Sequence, residues 1–120
     1  MARMNGRLTT HVLNTASGRP AAGMVIVLYR IDGDIRTPIK TVATNADGRC
    51  DTPLLEGETF ATGIYELVFA VDAYFTSLGI KLPEPNFLTA VPVRFGISGE
   101  THYHVPLLVS PYGYSTYRGS

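Results

Sequence analysis

The chain has 120 residues, of which 45% are apolar and 17% charged; this fits one domain with a real core and excludes a disordered polymer. Ten Lys and Arg balance ten Asp and Glu, so no basic excess is available to hold a nucleic acid or an anionic membrane. The single cysteine, Cys50, excludes an intrachain disulfide and fits a reducing compartment.

Short strands divided by turns run along the chain, the pattern of a β-sandwich or barrel. Residues 1–7 read as a flexible extension of the single domain, without the long apolar stretch of a secretory signal. Leu8 to Asn14 is the first predicted strand, closed by Ser17-Gly18-Arg19-Pro20. Met24 to Ile31 is a richly apolar strand ending at Asp32-Gly33-Asp34, a turn cluster. Ile39 to Thr44 is the third, followed by the turn Asn45-Ala46-Asp47-Gly48, and a short strand is expected near Cys50 to Leu54. Ile64 to Val71 is a buried strand, and Ala73 to Leu78 a short helix stopped by Gly79. Phe87 to Ile97 and His102 to Val109 are two further strands, and a last one follows Ser110-Pro111. About eight strands and at most one helix result, so the fold class is all-β. No apolar run reaches transmembrane length, and the final Arg-Gly-Ser is not the Ser-Lys-Leu peroxisomal address; the expected location is the cytoplasm.

Strand alternation assigns faces, because residues two apart point the same way. Tyr103, Val105, Leu107 and Val109 form an apolar face, so His102, His104, Pro106 and Leu108 form the other. Thr9, His11 and Leu13 oppose Leu8, Thr10 and Val12, and Gly113, Ser115 and Tyr117 oppose Tyr112, Tyr114 and Thr116. Three strands thus each offer a polar or small-residue face carrying His11, His104 or Tyr117. If these strands are neighbours, the three groups converge.

Two stretches carry a family resemblance. One is His11-Val12-Leu13-Asn14-Thr15-Ala16-Ser17-Gly18-Arg19-Pro20-Ala21; the other runs from Tyr103-His104-Val105-Pro106 through Ser110-Pro111-Tyr112-Gly113-Tyr114-Ser115-Thr116. Both resemble the signature stretches of the transthyretin family, and Gly63-Ile64-Tyr65-Glu66-Leu67 and the segment from Tyr74-Phe75 to Leu78-Gly79 are similar to it as well. The terminal Tyr117-Arg118-Gly119-Ser120 resembles the branch that hydrolyses 5-hydroxyisourate rather than the hormone carriers. His11, Arg49 after Asp47-Gly48, and His104 fit the same branch.

The resemblance implies a two-sheet antiparallel β-sandwich with one short helix. It also implies a homotetramer whose channel holds the active sites at the dimer–dimer interface. The implied substrate is a small oxidised purine whose six-membered ring opens at an amide-like bond to give 2-oxo-4-hydroxy-4-carboxy-5-ureidoimidazoline. That reaction needs an activated water, a place for a developing oxyanion and a proton for the departing nitrogen. Histidine suits the first and third because its unperturbed pKa lies near working pH, and arginine offers a fixed cation with a planar fork of donors. On this reading His11, His104 and Arg49 are catalytic, one histidine being the general base. His11, Arg49, Tyr117 and Ser120 bind substrate, and Arg118 and Ser120 can instead fix the tail by pairing across the interface.

No cofactor and no metal are expected. His102 with His104 is a His-x-His pair to which His11 could add a third zinc ligand, but no Cys or well-placed carboxylate completes such a set. Cys50 has no base beside it in sequence, which leaves a thiolate nucleophile weakly supported. The competing class is a non-enzymatic carrier of a small hydrophobic ligand in the tetramer channel. The polarity of His11, Arg49, His104 and Tyr117 argues against it. A purely structural sandwich module would leave those residues unexplained.

Overall fold

A computed structural model of the chain describes residues 6–119. In chain order its strands are β1 (Arg7–Thr9), β2 (Val12–Asn14), β3 (Arg19–Pro20), β4 (Val25–Asp32), β5 (Ile35–Ala43) and β6 (Leu55–Glu56). Then come β7 (Gly63–Ala70), the helix α1 (Val71–Ser77), β8 (Ala90–Ile97), β9 (His102–His104), β10 (Leu107–Ser110) and β11 (Gly113–Thr116). One sheet has the order β5-β4-β7-β8. The facing layer consists of β6-β1-β9 and β11-β10-β2-β3. Leu8, Val12, Ile26, Leu28, Leu67, Phe69, Leu107 and Val109 are fully buried, each contributing about 1.5–3 kcal/mol relative to exposure. The fold is a two-layer β-sandwich with one short helix. No helix among the described residues is long and apolar enough to cross a membrane.

The strand expected over Leu8 to Asn14 forms in two pieces, β1 and β2, but its alternation is unbroken. Leu8, Thr10, Val12 and Asn14 are buried, while Thr9, His11 and Leu13 are only partly so. The buried Thr10 hydroxyl donates to the Val105 carbonyl at 2.8 Å, as an interior hydroxyl must find a partner. The strand expected over His102 to Val109 is likewise divided at Pro106, which has no N–H for a ladder. Val105 N–H donates to the Thr9 carbonyl at 3.0 Å and Leu107 N–H to the His11 carbonyl at 2.9 Å, so the two halves stay in step. Pro106 is itself buried, unlike the histidines whose face alternation assigns it.

Several boundaries differ from the sequence reading. The short strand expected near Cys50 to Leu54 falls at Leu55–Glu56, and β8 begins at Ala90 rather than Phe87. β5 begins at Ile35 and takes up Pro38 at a register shift; the sheet edge tolerates a residue that cannot donate. Arg7 belongs to β1 rather than to the extension expected at 1–7, whose first five residues lie outside the described ones. Pairing is antiparallel with two exceptions. β1 runs parallel to β9 and β2 parallel to β10, which sets Thr9 directly opposite His104.

Candidate active site

The parallel register brings the outward faces of β1 and β9 together. Thr9 Oγ1 lies 2.8 Å from Nδ1 of His104 and 2.7 Å from Nε2 of His102. One hydroxyl therefore holds both imidazoles, whose ring centres are 6.1 Å apart. A cavity of about 430 Å³ opens beside them, lined among others by Arg7, Thr9, Arg49, Cys50, His102 and His104. Its size falls in the range of small-molecule sites.

Arg49 is delivered by a turn. Oδ1 of Asn45 accepts the N–H of Asp47 at 2.9 Å and of Arg49 at 3.2 Å, and Asn45 N–H donates to the Arg49 carbonyl at 2.7 Å. Gly48 has φ +75°, and its carbonyl accepts Val12 N–H at 2.8 Å. A Cβ there would meet the Val12 carbonyl oxygen at 2.5 Å, so glycine is needed for both the conformation and the approach. Docked on β2 this way, the turn sets Arg49 opposite His11 in an isolated antiparallel bridge.

The chain end folds back onto the same site. Thr116 Oγ1 donates to the Pro106 carbonyl at 2.7 Å, and Gly119 N–H donates to the His104 carbonyl at 2.7 Å. The Arg118 guanidinium lies 4.0 Å over the centre of the Tyr103 ring and donates to Thr101 Oγ1 at 3.1 Å. Arg118 therefore fixes the tail. Tyr117 is not part of the lining of the histidine cavity. It is 59% exposed and borders a separate cleft of about 180 Å³ with Val93, Phe95 and Tyr103. Ser120 lies outside the described residues.

Burial, with added repulsion from Arg49, His102 and His11, holds His104 below the ordinary histidine value of 6.5. Burial and then Arg7 hold His102 below it as well. Both rings are thus mainly neutral at neutral pH and able to accept a proton. Burial pushes the Cys50 thiol up; Asp51 adds to this and Lys40 opposes it, which disfavours a nucleophilic thiolate. Among the described residues, no three His, Cys, Asp or Glu side chains group so as to hold a metal ion. Arg49 and His104 line one cavity, and His11 stands opposite Arg49 in the backbone bridge. Thr9, which was not singled out, joins them; its position on the histidine-bearing face of the first strand was the available signal.

A model of the HIUase/Transthyretin family matches residues 8–119. The chain belongs to that family. Within the HIUase/Transthyretin family it is 68% identical over 115 residues to the 5-hydroxyisourate hydrolase of Mesorhizobium japonicum, covering 96% of this chain and 93% of that one. The crystal structure of (S)-allantoin synthase superposes with a TM-score of 0.91 at 45% identity, over 99% of this chain and 44% of that larger one. The chain spans less than half of that protein's length. The 5-hydroxyisourate hydrolase of Klebsiella pneumoniae matches with a TM-score of 0.80 at 34% identity, over 96% of this chain and 99% of that one.

Proposed function

We propose that this chain hydrolyses 5-hydroxyisourate to 2-oxo-4-hydroxy-4-carboxy-5-ureidoimidazoline, a step of urate breakdown. The observation that carries the reading is the meeting of His104 and Arg49 at one polar cavity, with His11 bridged to Arg49, in a chain 68% identical to a 5-hydroxyisourate hydrolase. An apolar ligand would leave those polar groups dehydrated and unpaired, which is costly; a small planar ring rich in carbonyl and N–H groups satisfies them.

His104 is the general base. Thr9 holds its Nδ1, so Nε2 is the nitrogen left for water, and its lowered pKa keeps it unprotonated. It takes a proton from water as the hydroxide oxygen adds to the substrate carbonyl carbon. Arg49 faces the oxyanion that forms; one such donor is worth about 3 kcal/mol in acyl transfer. The tetrahedral centre collapses, the carbon–nitrogen bond breaks, and the ring nitrogen receives a proton from His11 or back from His104. Water is consumed as a proton on nitrogen and a hydroxyl on carbon, with no cofactor.

The active unit is a homotetramer with sites at the dimer–dimer interface. Supporting this, Phe87 and Tyr112 are 70% and 60% exposed with their ring centres 6.0 Å apart, and β8 and β11 lie at sheet edges; lone chains seldom leave such surfaces bare. Symmetry repeats one patch on each subunit, so Tyr117 of a neighbouring copy reaches substrate; Ser120 is a further substrate-binding residue on this reading. The cytoplasm is the site of action, in keeping with the unpaired Cys50. Generating 5-hydroxyisourate in place with urate oxidase and following its absorbance tests the reading. The protein should speed decay above the spontaneous rate; decay at the uncatalysed rate would refute it.

A further inference from the structure

The Thr9 hydroxyl carries one proton and stands between two imidazole nitrogens, 2.8 Å from Nδ1 of His104 and 2.7 Å from Nε2 of His102. It can donate to only one of them. Its oxygen can accept from either ring, so at most one of the two rings takes the Thr9 proton and the other must donate its own. When Thr9 donates to one ring, the facing nitrogen of the other ring must carry a proton, and that links the tautomers of His102 and His104. Arg49 lines the same cavity, and a fixed cation favours a bare nitrogen over an N–H pointing toward it.

We propose that Thr9 is a positioning residue. Its oxygen accepts Nδ1–H of His104 and its proton is donated to Nε2 of His102, which leaves Nε2 of His104 as a bare nitrogen for the attacking water. His102 acts through Thr9, as the acceptor that orients the hydroxyl, and does not touch substrate. This rests on reading His104 as the base. The opposite orientation would give His104 an Nε2–H, an acid where a base is needed. A wrong tautomer at otherwise intact geometry is known to be severe in hydrolases.

The groups that face this bridge come from three segments. Arg7 and Thr9 come from β1, Arg49 and Cys50 from the segment after the Asn45–Gly48 turn, and His102 and His104 from β9; His11 acts on His104 through its charge. None offers the Thr9 oxygen a competing hydrogen bond among the described residues. Thr9 is only partly buried, so Thr9→Val removes the hydroxyl while keeping a β-branched strand residue.

The test joins ¹⁵N NMR of the histidine rings to kinetics on wild type, Thr9→Val, Thr9→Ser and His102→Ala. Wild-type His104 should carry its proton on Nδ1. Thr9→Val should turn it into a tautomer mixture and lower kcat about 10- to 100-fold, with KM within about twofold and circular dichroism unchanged. Thr9→Ser should restore the wild-type tautomer and most of the rate. His102→Ala should cost less and add nothing in the Thr9→Val background. A Thr9→Val protein with wild-type kcat, or wild-type His104 found protonated on Nε2, would overturn the proposal. If Thr9→Val does not fold, the His102→Ala spectrum decides, since loss of the acceptor must also shift the His104 tautomer. A wild type with the expected tautomer but no hydrolysis would refute the functional reading and leave the bridge standing.

Discussion

Gly119 lies against the imidazole of His104 so closely that a Cβ in its place would meet Cδ2 at 2.7 Å. The two residues are also joined through the backbone, Gly119 N–H to the His104 carbonyl. Gly119 thus sets how the His104 ring is packed. In Gly119→Ala either the ring turns away from Thr9 or the tail lifts off. Misplacement by about 1 Å can cost about 100-fold in rate. The expected outcome is a kcat loss of about 10- to 100-fold with nearly unchanged thermal stability, read by steady-state kinetics and melting. Full activity would remove the tail from the site.

His104→Ala and His11→Ala should each lower kcat about 100- to 10,000-fold, the usual worth of a positioned acid or base. Both side chains are on the outward face of their strands, so circular dichroism should stay native. His102→Ala should be much milder, because its contact with the site runs through Thr9. Equal damage from all three would give His102 a direct part in the chemistry.

The pH dependence has a definite sign. Burial and then the Arg49 guanidinium disfavour the imidazolium of His104, and any proton on His102 or His11 adds to this. A base must be neutral, so the acid limb of kcat/KM should lie below the ordinary 6.5. Arg49→Gln removes that guanidinium and should raise the pKa of His104, moving the limb of the residual activity to higher pH. NMR titration of the His104 ring reads the same shift without turnover. A limb that moved to lower pH would contradict this electrostatic picture.

Activity should survive exhaustive chelation. One nitrogen of His102 and one of His104 are already engaged by Thr9, and the proposed activation of water by His104 needs no Lewis acid. Dialysis against a strong chelator followed by assay tests this. A loss restored by zinc would show that the histidines work as ligands.

The outward placement of His11 and His104 was legible in the sequence because strand alternation is a local property, and it survives even the breaks at Thr10–His11 and Pro106. The approach of Arg49 to His11 was legible only through family resemblance. It depends on Gly48 docking against Val12, a contact between segments far apart in sequence. The parallel pairing of β1 with β9 joins residues more than ninety apart, and no local pattern encodes it. Thr9 escaped notice for that reason: a threonine in a strand is ordinary, and its meaning appears only once two histidines stand across from it. Tyr117 shows the converse limit. Its alternation is a correct local statement, but the chain turns back after Thr116 to lay Gly119 on His104 and carries Tyr117 to another cleft.

The most direct test of the central claim is the initial rate of 5-hydroxyisourate decay at saturating substrate, measured in parallel for wild type, His104→Ala and buffer alone. Wild type should exceed the spontaneous rate by orders of magnitude, and His104→Ala should fall at least about 100-fold below wild type while eluting at the same position in size-exclusion chromatography. A folded His104→Ala protein that turned over substrate at the wild-type rate would contradict the assignment of the base.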